Sequence, residues 1–209
     1  GEMMSTLIVP AYQMWFDGQS VRMGGIGGVS TLPQYRKRGG IRGCFEALLP
    51  ELYRRGYDFS YLYPFSTAFY RKFGYESCVQ KQLVTVELRG LRENYFTGTY
   101  RLAEPGRDLS ADVCTVDARW HRAHNMSVLH GQEDYSWVTK LDPAAGDKYL
   151  YVWYDGDDPS AYVLFQPEGA TLRCDRFHFT SAQGFRALLG LRQTMSSDRS
   201  HARFYLPES

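Results

Sequence analysis

Residues 36–42 read Arg-Lys-Arg-Gly-Gly-Ile-Arg, so four cations stand around two adjacent glycines. Such a segment suits an anion rich in oxygens. Arginine and lysine supply charge, and glycine lets backbone N–H groups come close. A helix follows at once, because Ile41, Phe45, Leu48, Leu49 and Leu52 recur at helical spacing. The first turn of a helix carries unpaired N–H groups and a partial positive charge. The chemistry these features suit is phosphate binding. The segment has neither the Gly-Lys-Ser/Thr of a Walker A loop nor the GxGxxG of a dinucleotide site. On these residues alone a solvated basic turn stays open as the simpler reading.

The elements that must position this segment can be read outward from it. Residues 21–31 form a strand that carries Gly24, Gly25, Gly27 and Gly28. Glycines inside a strand mark a bulge or a close approach. Residues 7–16 are rich in apolar and aromatic side chains and read as one strand. Asp17-Gly18 then signals a hairpin. The helix from Ile41 ends through Arg54 and Arg55 at Gly56, a natural C′ residue. Pro50 lies inside it, at a cost of about 3 kcal/mol. A short strand follows at 58–63. Ser66 caps a short helix over 67–72, closed by Gly74.

Further along, 80–88 alternates as a strand, and the punctuated stretch 90–98 predicts a domain boundary near 95/96. Strands are expected at 100–103, 148–154, 161–166, 172–179 and 203–206. Helices are expected at 111–125 with Ser110 as cap, at 133–141, and at 182–195. For the last of these Thr180 and Gln183 make a capping box. Each half repeats hairpin, helix, strand. The fold class is α+β (mixed α/β) with largely antiparallel strands.

Residues 29–42 resemble the acetyl-coenzyme A loop of the GCN5-related N-acetyltransferases (GNAT). That pattern is Arg/Gln-x-x-Gly-x-Gly/Ala. Arg36 and Gly39 meet it, and Ile41 stands at the last small position. Residues 25–31, the Arg36-Lys37-Arg38-Gly39 loop and Phe69-Tyr70-Arg71-Lys72-Phe73-Gly74-Tyr75 resemble the enhanced intracellular survival (Eis) branch. The likeness is strong over 20–76, and weaker but consistent in order elsewhere. It implies two tandem GNAT-like domains, at 1–95 and 96–209. The first would be catalytic and N-terminally truncated, and the second degenerate. It also implies a fragment, with a sterol-carrier-like domain expected after 209.

The resemblance further implies roles. Val29, Ser30 and Thr31 would bond the pantetheine arm through their backbone. Amides from Lys37 through Arg38, Gly39, Gly40 and Ile41 to Arg42 would hold the pyrophosphate. Arg36, Lys37 and Arg38 would supply cations, one of them for the ribose phosphate. Phe65 and Ser66 would line the thioester channel, and Tyr70 would be the general acid. The implied reaction is direct acetyl transfer from acetyl-coenzyme A to an amine, an aminoglycoside or a lysine. The implied base is the C-terminal carboxylate of the complete chain, which is not Ser209, so these residues alone are expected to be nearly inactive. A homo-oligomer, a hexamer by analogy, is also implied. The competing reading is a coenzyme A-binding or scaffold module without transfer.

Composition narrows the remaining classes. With 24 basic and 23 acidic residues the net charge is +1, which argues against a nucleic-acid partner. No apolar run approaches the roughly 20 residues that span a bilayer. Neither a membrane partner nor a secretory leader is expected, and the location is read as cytoplasmic. Cys44, Cys78, Cys114 and Cys174 form no CxxC pair and are expected to be reduced and mostly buried. No metal is expected. His121 and His124 form an HxxH pair without a nearby third ligand and read as surface histidines. Asp155, Asp157 and Asp158 read as a hairpin turn, because a calcium loop would need a later glutamate.

Overall fold

The computed structural model describes residues 3–91, 98–146, 148–195, 197 and 199–207. Packing divides the chain into two units. One is Gly1–Cys78 with Asn125–Leu129, and the other is Val79–His124 with His130–Ser209.

The first unit opens with β1 (Ser5–Ile8), β2 (Ala11–Phe16) and β3 (Gln19–Thr31). The single strand expected over 7–16 is broken at Val9 and Pro10. Proline has no N–H to give a ladder, and its carbonyl instead accepts from Gly25 N at 3.0 Å. The β2–β3 hairpin turns at Asp17 (φ 48) and Gly18 (φ 78), as its sequence predicts. Next come α1 (Gly40–Arg54), β4 (Phe59–Leu62) and α2 (Thr67–Tyr70). The helix α1 runs through Pro50 and is followed by Gly56 at φ 72. Ser66 caps α2, with Phe69 N–H donating to its Oγ at 3.3 Å, and Gly74 follows at φ 87.

The core of this unit is Ile26 from β3, Phe45 from α1 and Tyr70 from α2. Phe45 stacks on Phe73 with centroids 4.4 Å apart. Burying one such ring stabilises by about 2–3 kcal/mol. A late segment, Ser127–Leu129 (β7 in chain order), completes the sheet against β2.

The course of β3 determines which of its backbone groups stay unpaired. Its register against β1 pairs Thr6 with Ser30 but Ile8 with Gly27, so β3 carries one extra residue there. Gly28, at φ 59, takes up that residue. A bulge of this kind bends its strand. On its other edge β3 pairs in parallel with β4, from Met23↔Phe59 to Ile26↔Leu62. Among the described residues that edge has no strand partner beyond Ile26.

The second unit has a sheet ordered β5-β11-β10-β9-β8-β6. Its strands are β5 (Lys81–Glu87), β6 (Thr99–Leu102), β8 (Tyr149–Asp155), β9 (Asp158–Glu168), β10 (Thr171–Phe179) and β11 (His201–Pro207). The boundary expected at 95/96 lies outside the described residues. The division falls before β5 instead, because β5 pairs antiparallel with β11 along its whole length. Helices α3 (Ser110–Arg122) and α4 (Ala182–Gln193) cover opposite faces. In β9, Tyr162 and Leu164 pack with Val113 and Val116 of α3, while Ala161, Val163 and Phe165 pack with Ala187 and Leu188 of α4. Burial on both faces explains why β9 reads as a continuous apolar run.

Several local expectations shift. Ser110 lies within α3 rather than capping it, and its N–H donates to Asp108 Oδ1 at 2.8 Å. The cap of α4 is Ser181, whose Oγ accepts from Gly184 N at 3.0 Å, and Thr180 Oγ1 donates to the Ser160 carbonyl. The helix expected over 133–141 is two short 3-10 turns, Gln132–Tyr135 and Val138–Lys140. All four cysteines are free, but only Cys174 is buried and Cys78 is exposed. Their number per face of a strand or helix is too small for the sequence to fix their depth. Among the described residues no helix is long and apolar enough to cross a membrane.

The bulge makes a prediction. A Cβ on Gly28 would meet Ile8 Cγ1 at an ordinary 3.4 Å, so the obstacle is its left-handed backbone and not space. Gly28→Ala should destabilise by about 1–2 kcal/mol. Gly43→Ala, in open space on α1, should stabilise by about 0.5–1 kcal/mol. Urea unfolding of both variants checks the pair, and a neutral Gly28→Ala would remove the bulge from the account.

Candidate functional site

Leu32 N–H donates to the Met4 carbonyl at 3.0 Å, so Leu32 turns its backbone toward the β1 side. Along a strand these groups alternate. Ser30 therefore faces β1 as well, while Val29 and Thr31 present N–H and C=O to the open edge of β3. Of the three residues predicted to bond a ligand through their backbone, two have these groups free among the described residues. The Thr31 side chain is turned to Ser5, with the two hydroxyls 2.9 Å apart.

After Thr31 the chain makes a short 3-10 turn, Pro33–Tyr35. Lys37 (φ 65) and Gly39 (φ 80) then take left-handed backbone on either side of Arg38. Backbone of this kind gathers N–H groups into an anion-binding concavity. The helix α1 starts at Gly40 with no side chain capping it. Its first N–H groups, those of Gly40, Ile41 and Arg42, are thus left for water or a ligand. Arg36, Lys37 and Arg38 are exposed, and among the described residues no carboxylate pairs with them. Arg38 lies over the Tyr35 ring at 5.4 Å. Arg42 is 3.9 Å from Glu46, with both side chains more than half exposed, so that pair is weak.

The other predicted residues lie past the end of β4. Phe65 is 75% exposed and Tyr70 only 3% exposed. Their rings meet edge to face at 5.4 Å, and Phe45, Phe69 and Tyr75 complete the aromatic wall around Tyr70. Burial raises the Tyr70 phenol above its ordinary value, so it stays protonated through neutral pH. The Ser66 hydroxyl is engaged as the α2 cap. Together the open edge, the left-handed loop, the uncapped helix end and the unpaired cations make a cradle for an extended ligand with phosphates.

The second unit repeats the topology without the cradle. There β10, α4 and β11 follow the same order, with β11 parallel to β10. Only Thr180 and Ser181 join β10 to α4, where residues 32–39 join β3 to α1. Ser181 also caps its own helix.

The HxxH pair does not act as a surface pair. His124 Nδ1 bonds the Trp120 carbonyl at 2.7 Å. His121 is partly buried and stands beside Asp117 and His178. The sequence reading missed this grouping, because His178 comes from a distant strand. The i, i+4 spacing of Asp117 and His121 is its one local sign.

Gly40 shows how closely α1 approaches β1. A Cβ there would fall 2.2 Å from Ser5 Oγ and 3.1 Å from Ser5 Cβ. Gly40→Ala should cost about 1–3 kcal/mol through overpacking, and adding Ser5→Ala should recover most of it. Denaturant titration of both variants tests this, and equal stability of wild type and Gly40→Ala would show that the helix start is not so constrained.

Known proteins resemble the chain in two ways. The sequence profile of the acetyltransferase (GNAT) domain matches residues 1–78. A probable N-acyltransferase from Enterococcus faecalis superposes with a TM-score of 0.83 at 24% identity, over 99% of this chain and 52% of that one. A GCN5-related N-acetyltransferase from Kribbella flavida gives 0.76 at 23% identity, over 98% and 50%. Eis1 from Mycobacterium abscessus gives 0.74 at 18% identity, over 97% and 53%. The chain thus spans about half the length of these structures. No curated protein matches the sequence significantly. Residues 1–78 carry the match to the acetyltransferase (GNAT) domain, and the fold is that of the GCN5-related N-acetyltransferases.

Proposed function

We infer that residues 1–78 bind acetyl-coenzyme A and that the chain is part of an N-acetyltransferase. The observation that carries this reading is the open edge of β3 at Val29 and Thr31, leading directly into the uncapped start of α1. An extended amide-bearing arm fits the open edge as an added strand would. A pyrophosphate fits the N–H groups and cations of residues 36–42. The run Phe69-Tyr70-Arg71-Lys72-Phe73-Gly74-Tyr75 supports the Eis-like branch.

In the proposed reaction a neutral amine attacks the thioester carbonyl carbon. The C–N bond forms, the tetrahedral intermediate collapses, and the C–S bond breaks. The Tyr70 hydroxyl gives its proton to the leaving sulfur as charge develops there, and the amine loses its proton to a base. A phenol held protonated by burial suits a donor that must carry its proton at neutral pH. The acceptor is a primary amine of the aminoglycoside or lysine kind. Exposed Tyr63 and Phe65, just past β4, offer aromatic faces that suit a cationic acceptor.

Two measurements test this. Calorimetry should show acetyl-coenzyme A binding to the chain, and Arg36→Ala with Arg38→Ala should weaken it at least about tenfold. Added salt should weaken the wild type more than the variant. Absence of binding, or binding indifferent to both changes, overturns the cofactor reading. In the full-length protein, Tyr70→Phe should lower kcat by about 100- to 10,000-fold with little change in the KM for acetyl-coenzyme A. Tyr70 acts in its protonated form, so activity is kept below its pKa and lost above it. The raised pKa places that loss above pH 10, about the ordinary phenol value. An unchanged rate in Tyr70→Phe removes it from the mechanism, and binding without transfer to any amine would favour a coenzyme A-binding module.

A further inference from the structure

We propose that the second unit holds one divalent transition-metal ion of the zinc class between Asp117, His121 and His178. The inference does not rest on acetyl transfer, because these residues lie in the unit that lacks the phosphate cradle.

The three side chains converge from two elements. Asp117 and His121 stand four residues apart on α3, one above the other on the same face. His178 comes from β10. One ligand atom from each lies within 4.8 Å of the others. Bonds of about 2.0–2.2 Å in a tetrahedral zinc shell put neighbouring ligand atoms roughly 3.3 Å apart, so small side-chain rotations suffice. Two imidazoles and one carboxylate are a donor set for zinc and its late first-row neighbours, not for calcium or magnesium.

His121 supplies the independent sign. Its Nδ1 is buried and has no hydrogen-bond partner among the described residues. A neutral imidazole with an unengaged ring nitrogen is what a metal ion takes up. Asp117 is fully buried and already oriented. Its Oδ1 accepts from Tyr162 OH at 2.7 Å and from His178 Nδ1. Its Oδ2 accepts from Tyr135 OH at 2.8 Å and from Arg176 Nη1 at 3.1 Å. Ligating carboxylates are held by outer partners of this sort.

The ion would take the place of the proton that His178 Nδ1 shares with Asp117 Oδ1. Arg176 stays on the Oδ2 side, and its charge disfavours a bare dication. The fourth position therefore goes to hydroxide or another anion. The His178 side chain is 18% exposed, which leaves a way in for both.

The test uses the 209-residue chain, stripped of metal by chelation and titrated with Co²⁺ alone. One ion per chain should bind, with the strong visible absorption of tetrahedral cobalt and a rise in Tm. His121→Leu removes a ring nitrogen that bonds nothing, so the metal-free Tm should hold while affinity falls at least about 100-fold. Should His121→Leu lower the metal-free Tm, His178→Asn carries the test and should weaken binding similarly. His124→Ala should bind as the wild type does. Failure to bind one equivalent, the weak spectrum of octahedral cobalt, or affinity unchanged in the histidine variant that carries the test would each overturn the proposal.

Discussion

A backbone N–H or C=O that loses its strand neighbour must find another partner. In this protein the loss occurs on β3 after Ile26, and the first unit is arranged around it. The bulge at Gly28 bends the strand, β1 holds its far edge, and β4 ends its pairing at Leu62. Val29 and Thr31 are left with free groups on one side only. A random defect would cost stability for nothing. Here the free edge runs into left-handed backbone and an uncapped helix start, so unpaired donors continue from strand to loop to helix. One extended ligand can satisfy the whole series.

Comparison with the second unit shows which parts of that arrangement belong to the topology and which to the site. Both units run from a hairpin through a helix to a parallel strand. The parallel pairing of β10 with β11 covers only Thr171 to Arg173, so divergence of the parallel strands belongs to the topology. The loop does not. With Thr180 and Ser181 alone between strand and helix, no turn of left-handed backbone can form and no cations stand at the helix start. Ser181 adds to this by capping the helix itself, its Oγ taking the Gly184 N–H that a phosphate could otherwise use.

Local chemistry was legible in the sequence where a few adjacent residues decide the structure. The Asp17-Gly18 turn, the Ser66 cap, Gly56 and Gly74 after their helices, and the strand–loop–helix of 29–42 all stand as their residues predict. Distant partners decided the rest. Residues 80–88 read correctly as a strand, but nothing in them says that β11 is their neighbour, and so the boundary near 95/96 could not be read. Thr180 and Ser110 have the right chemistry for caps. Each is one position away from the residue whose backbone turns into the helix, and propensity does not resolve a single residue. His121 was misread because its neighbours, Asp117 apart, arrive from elsewhere in the chain: His178 and Arg176 from β10, and His130.

The second unit also shows how a fold meets the cost of buried charge in two different ways. Arg192 is fully buried, and its guanidinium makes no hydrogen bond among the described residues. It lies between the rings of Phe177 and Phe204, at 4.2 and 4.8 Å, and beside Cys174, so aromatic faces and one thiol are its compensation. Burial lowers its pKa, as expected for a cation with so little return. Asp117 is equally buried, and burial alone would raise its carboxyl. Hydrogen bonds and charge from His178, with the Tyr162 hydroxyl, instead hold it down at about 2. An apolar residue at 117 would remove the acceptor that Tyr135, Tyr162, Arg176 and His178 share, whereas an apolar residue at 192 would remove no hydrogen-bond acceptor. A need for packing alone would be met by the simpler solution at both positions. Both oxygens of Asp117 are engaged by partners, while the buried Nδ1 of the neighbouring His121 has none among the described residues.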